Sequence, residues 1–200
     1  MQVRAESFVR VARFLERTHG EEGLRAVIAA CSEPVRARWA EPRRSRWLPL
    51  DELTELAEVA DRELARGDGK LTEQLGEALA EAQTKGLFRV VAQLAAPAFV
   101  MKRAAATWRR LHDAGAMTLL DADDHACTLE VVGVPTPSAV HCAMLTGWAR
   151  GVGRTFGVDA IVRHAQCRAR GATRCLWDVE WSAPIGRELF VPSLAGAMEK

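Results

Sequence analysis

Gly115 divides the chain into two kinds of sequence. Before it, apolar residues return at helical spacing; after it, they alternate. Met117 and Leu119 share a side in AMTLLDA (116–122), as do Cys127, Leu129 and Val131 in HACTLEVV (125–132). The acidic DADD between these runs is a turn, so the spacing predicts an antiparallel hairpin. PTPSAVHCAMLTGWARGVGRTFG (135–157) reverts to a helix, with Ser138 as its cap. His141, Leu145, Trp148, Val152 and Phe156 form its apolar stripe, and Cys142 lies on the margin. Two more strands follow. Val158, Ala160, Val162 and His164 share a face of the first; Cys175, Trp177, Val179 and Trp181 share a face of the second. The fold class expected is α+β: a helical N-terminal half followed by a β-β-α-β-β antiparallel sheet covered by helices.

The helical half is read from the same periodicity. AESFVRVARFLERTHG (5–20) places Phe8, Val11 and Leu15 on one side and stops at Gly20. A second helix runs to Pro34, and PLDELTELAEVADRELARGDG (49–69) and KLTEQLGEALAEAQTKG (70–86) are two further amphipathic helices. Residues 87–112 are apolar all round, as expected of a buried central helix or of two pieces broken at Pro97. The organisation expected is a helical region over 1–48, an α+β domain over 49–182 and a tail over 183–200.

Charge excludes little but guides partners. Lys plus Arg number 27 and Asp plus Glu 26, so no net field favours nucleic acid or an anionic membrane. VRARWAEPRRSRW (35–47) does interleave Arg with Trp, a pattern able to clamp nucleic acid. The near-neutral total favours Trp side chains docked on a core instead. The N-terminus has no continuous apolar leader, and the run VVAQLAAPAFVM (90–101) is too short to span a bilayer. A soluble, cytoplasmic protein is expected.

The densest chemistry lies in VRHAQCRARGATRC (162–175), which holds one His, two Cys and four Arg. A tetrahedral zinc site needs four nitrogen or sulfur donors around one point. The final hairpin would bring His164, Cys167 and Cys175 together, and the preceding helix would supply His141 or Cys142. Two thiolates and two neutral imidazoles would leave zinc with no net formal charge. The same residues could instead be ordinary core, since unpaired Cys packs as a small hydrophobe. A reactive thiol beside the Arg cluster is a third reading. The glycines of GWARGVGRTFG lie within a helix rather than after a strand, so close packing against the sheet explains them better than phosphate binding. Asp121, Asp123 and Asp124 read as a turn, His112 and His125 as surface residues, and Glu130 as exposed.

The segment HCAMLTGWARGVGRTFG…VRHAQCRARGATRCLWDVEW resembles the vinyl-4-reductase domain of bacterial and archaeal regulators. That family is related in fold to haem-NO-binding sensor domains and TRAPP vesicle-tethering subunits. WLPLDELTELAEVADRELARGDGKLTEQLG is similar to uncharacterised myxobacterial proteins of that architecture. In aromatic-sensing members, zinc is held by a helix Cys, an acidic residue and two hairpin Cys. The resemblance implies that Cys167 and Cys175 match the hairpin pair. His164 would stand at the acidic position, and His141 or Cys142 near the helix Cys.

The function this implies is a non-enzymatic sensor or binding module with a pocket for a small hydrophobic ligand. Phe99, Trp108, Val140, Met144 and Trp148 are the candidate lining. Structural zinc would brace the pocket wall, and haem is not expected. Signalling would pass by association with a protein partner, a homodimer included. The alternative is a TRAPP-like interaction scaffold with a filled core and no metal.

Overall fold

A computed structural model describes residues 1–41, 46–83, 101–103, 105–155 and 157–182. The segment 87–100, Phe99 within it, and the tail 183–200 lie outside the described residues.

The helical half begins with strand β1 (Gln2–Arg4) and helix α1 (Ala5–Ala30). Gly20 breaks α1 with a φ of 76°, dividing it where the sequence reading ends its first helix. Helix α2 (Glu33–Ala40) and strand β2 (Trp47–Pro49) follow; β2 pairs antiparallel with β1, with Val3 opposite Leu48. This two-stranded sheet is absent from the sequence reading because three residues are too few to show a period. Trp47 docks under the Arg4 guanidinium, 4.8 Å from the ring centre, so part of the Arg/Trp segment is spent inside the fold.

Helices α3 (Leu50–Leu64) and α4 (Lys70–Gln83) complete this half. Buried Asp61 joins them: its carboxylate accepts the backbone N–H groups of Gly69 (2.8 Å) and Leu71 (2.9 Å) at the start of α4. That satisfies donors a helix start otherwise leaves unpaired. Phe8, Leu15, Leu48, Leu56 and Leu75 are fully enclosed in the resulting core.

After the short helix α5 (Trp108–Leu111), strands β3 (Ala116–Ala122) and β4 (Ala126–Val132) form the expected hairpin. Helix α6 (Ala139–Thr155) leads to β5 (Ala160–Gln166) and β6 (Cys175–Trp181). The sheet order is β3-β4-β6-β5, every pair antiparallel. Ser138 Oγ accepts the His141 backbone N–H, capping α6 as the sequence suggests. Cys127, Leu129, Val131, Cys175, Trp177, Val179 and Trp181 are all buried. Among the described residues no helix is long and apolar enough to cross a membrane.

Helices α4 and α6 touch backbone to backbone. A Cβ on Gly147 would lie 1.8 Å from the Glu73 carbonyl oxygen, and one on Gly76 would lie 1.9 Å from that of Met144. Gly151 faces Glu77 and Ala80 in the same seam. These glycines therefore pack against a helix, which corrects the expectation of the sheet; Gly153 alone meets it, through Ala160 and Val158. At the rim, Arg150 spans Glu73 and Glu77 at 2.9 Å each, and Arg154 adds a second bond to Glu77. The Gly147→Ala variant should lose about 3 kcal/mol or more of stability, measured by urea unfolding, because the clash is with rigid backbone. Gly23→Ala, whose nearest contact is the His19 side chain, should stay within about 1 kcal/mol.

Candidate metal centre and apolar cavity

Helix α6 places two neighbouring side chains on opposite duties. Cys142 faces the sheet, whereas His141 faces a cavity between α6, α5 and the helical half.

Four ligand-type groups converge on the sheet side. One donor atom each of Cys142, His164, Cys167 and Cys175 lies within 4.8 Å of the others. The Cys142 and Cys175 sulfurs are 3.9 Å apart. Tetrahedral zinc with bonds of about 2.3 Å needs sulfur–sulfur edges of about 3.8 Å. His141 is not part of this group; the helix contributes Cys142. The donor set is three sulfurs and one imidazole, not two and two, so three thiolates and a divalent ion would carry one net negative charge.

Local geometry explains the convergence. The β5–β6 register shifts between His164 and Gln166, a bulge that leaves Ala165 unpaired and re-aims the chain entering Cys167. A 3-10 turn (Arg168–Arg170) follows, closed by Gly171 at φ 90°. The Cys167 carbonyl accepts the N–H groups of Arg170 and Ala172, both at 3.0 Å, and the Arg168 N–H points at the Cys175 sulfur at 3.4 Å. Trp177 ties the two sides together. Its ring stacks on His164 at 4.3 Å and 3°, and its indole N–H donates to Thr146 on α6 at 2.9 Å.

His164 Nε2 is buried without a hydrogen-bond partner, while Nδ1 faces the Arg170 guanidinium at 3.2 Å. Burial, with Arg170 adding to it, lowers the His164 pKa to about 4, so the ring is neutral at physiological pH. Burial first, then the neighbouring Cys175 and Cys167, pushes the Cys142 thiol far above its usual range. A bound cation is what would let such a thiol ionise. Burial likewise raises Cys31 to about 11 and Cys127 to about 12, and all five cysteines are buried and unpaired. That is the opposite of what an exposed, activated thiol requires.

The cavity on the other side measures about 50 Å³. Trp108, His112, Met117, His141, Met144 and Trp148 are among its walls. Of the expected lining residues it therefore includes Trp108, Met144 and Trp148. Val140 is not one of them: it lies in a surface groove with Ala139, Ala143 and Gly69. His112, read from sequence as a surface residue, stacks on Trp108 at 3.8 Å and lies 5.4 Å from the His141 ring. Only the fold could reveal this, because the two imidazoles come from segments 29 positions apart (141 − 112).

No protein-family profile matches the sequence, and no curated protein matches it. Solved structures match its fold. The H-NOX protein from S. oneidensis in the Fe(II)NO state shares 14% identity at a TM-score of 0.63, covering 90% of this chain and 99% of that one. The Fe(II) unliganded H-NOX protein from K. algicida shares 10% at 0.64, covering 91% and 98%. The IWP-051-bound H-NOX from Shewanella woodyi in the Fe(II)CO state shares 13% at 0.64, covering 93% and 98%. The chain thus has the H-NOX fold, the haem-NO-binding architecture named among the related folds, while no family or sequence match supports the vinyl-4-reductase or myxobacterial resemblance. Another similar structure concerns haem distortion in the H-NOX family. The expectation that set haem aside is corrected accordingly: the fold is one on which those proteins carry haem.

Burial lowers the His112 pKa to about 4, below the usual 6.5. The unfolded chain therefore takes up the proton first as pH falls. The His112 contribution should be level above about pH 7, turn unfavourable from about pH 6.5 down to about pH 4, and level off below. Urea midpoints across that window should fall less steeply in His112→Phe, which keeps a ring against Trp108.

Proposed function

We propose that this chain is a small-ligand-binding sensor module whose final hairpin is clamped to α6 by a zinc-class divalent ion. The observation that carries the reading is the four-donor cluster of Cys142, His164, Cys167 and Cys175. Three sulfurs from two elements would cross-link the sheet to the helix that also walls the cavity. A site of this type couples metal affinity to folding free energy. Its role is structural and non-enzymatic. Five buried, unpaired thiols suit a reducing, cytoplasmic setting.

The fold raises haem as an occupant, and the residues answer in two parts. His141 is buried and His112 half-buried with its Nδ1 enclosed and unpartnered; both are neutral imidazoles, the ligand type haem iron takes from proteins. The space between the described walls, about 50 Å³, is well below the ~300 Å³ at which pockets for drug-sized ligands begin. The donors suit the iron; the volume suits a guest of a few atoms.

The cavity reading is that a small apolar molecule sits against Trp108, Met144 and Trp148. Its occupancy would be relayed by association with a protein partner, a second copy of the chain included. Xenon under pressure should shift the methyl resonances of Met117 and Met144, and Trp148→Ala should enlarge the response. Unmoved methyl signals in both proteins would favour the filled-core scaffold.

For the metal, elemental analysis of the purified protein should give about one equivalent of zinc per chain. Cys142→Ser, Cys167→Ser and Cys175→Ser should each lose most of it, while Cys31→Ser and Cys127→Ser retain it. Chelation should lower the thermal midpoint of the parent and leave the cluster variants nearly unmoved. Metal-free protein, with cluster variants as stable as the parent, would overturn the reading.

A further inference from the structure

The proposed centre has an inconsistency in its fourth donor that points to how it works. Arg170 lies in the 3-10 turn with its Nη2 3.2 Å from His164 Nδ1 and 3.2 Å from the His164 carbonyl oxygen. A guanidinium has donors only, so in this contact Nδ1 must accept. A neutral imidazole that accepts at Nδ1 carries its proton on Nε2. If Nε2 is the donor facing the cluster, its lone pair is absent; if Nδ1 is, the lone pair is already taken by Arg170. In either arrangement Arg170 opposes ligation by His164. Metal-bound histidines normally donate their second ring N–H to a carboxylate or carbonyl. Here a cation stands in that place.

The three cysteines show no such conflict. Cys142, Cys167 and Cys175 are buried, and Cys175 already receives a backbone N–H. His164 is only half-buried on β5, an edge strand, beside exposed Ala165, Gln166 and Arg170. The fourth corner is therefore the one whose residue lies nearest the surface, with Nε2 itself buried beneath the ring.

Resting on the metal reading above, we infer that the centre is a three-thiolate site with an exchangeable fourth position. Arg170 keeps His164 a weak donor, and a small neutral nitrogen base from solution takes its place. Charge selects a neutral donor, and zinc-class ions take nitrogen beside thiolate sulfur. Three thiolates and a divalent ion sum to −1, opposite the +1 of Arg170, and a neutral donor preserves the balance. A fourth thiolate would leave a second, uncompensated negative charge in a partly buried site.

Cobalt(II) and imidazole test this on the whole 200-residue chain, through the visible d–d bands and chelator competition. Parent and His164→Phe, which keeps a ring against Trp177, should bind cobalt within about threefold of each other. Millimolar imidazole should shift the bands of both. Arg170→Gln offers a carbonyl to Nδ1–H; it should bind cobalt about tenfold tighter, resist imidazole, and lose both gains when combined with His164→Phe. Overturning results are a large affinity loss in His164→Phe alone, bands insensitive to imidazole in the parent, or no gain in Arg170→Gln. Those outcomes leave a closed structural site standing. A protein that gives no thiolate-bound cobalt spectrum overturns the inference and the metal reading together.

Discussion

The backbone contact between α4 and α6 is the constraint on which the rest of the molecule depends. Helices usually pack with axes about 8–10 Å apart, held off by their side chains. Gly76, Gly147 and Gly151 remove that separation along the seam, and the Arg150 and Arg154 bridges to Glu73 and Glu77 fix its length. Helix α6 thereby becomes an interior element with two working sides: Met144 belongs to the helical core, while Leu145, Trp148 and Val152 belong to the sheet core. A helix held this rigidly can aim one residue at a sulfur cluster and its neighbour at a cavity.

Much of the fold could be read from periodicity because the sheet is solvated on one face. Every inward residue assigned to β4 and β6 is buried. Alternation cannot resolve a helix that is buried nearly all round, and α6 is one. Its apolar stripe begins at His141, yet a stripe does not say which of two partners it meets. Cys142, about 100° further round the helix, is the residue that reaches the hairpin. The glycines misled for the same reason. Their spacing announces a close neighbour, and α4, nearly 70 positions earlier in the chain, carries no matching signal apart from Gly76.

The site residues divide along similar lines. His164, Cys167 and Cys175 sit on one hairpin, where local chain geometry predicts proximity. His112 and His141 meet only after β3 and β4 have been laid down between them. Arg170 was legible as one charge among four; its contact with Nδ1 depends on the bulge at Ala165 and the turn that follows. The H-NOX likeness covers about nine-tenths of the chain and fixes the architecture. Side chains decide the chemistry within it, and here they set the His112–His141 pair and the sulfur cluster on opposite sides of one helix.

The bulge in β5 also bears on how such a hairpin can diverge. Between His164 and Cys167 each residue fixes the next donor's direction, so a single insertion or deletion would flip the following side chains across the sheet. Beyond Cys167 the chain has already turned, and Gly171 to Arg174 connect it to β6 without supplying a donor. Relatives should accordingly hold the first spacing constant while the second drifts in length, giving lineages a place to vary the rim without dismantling the centre.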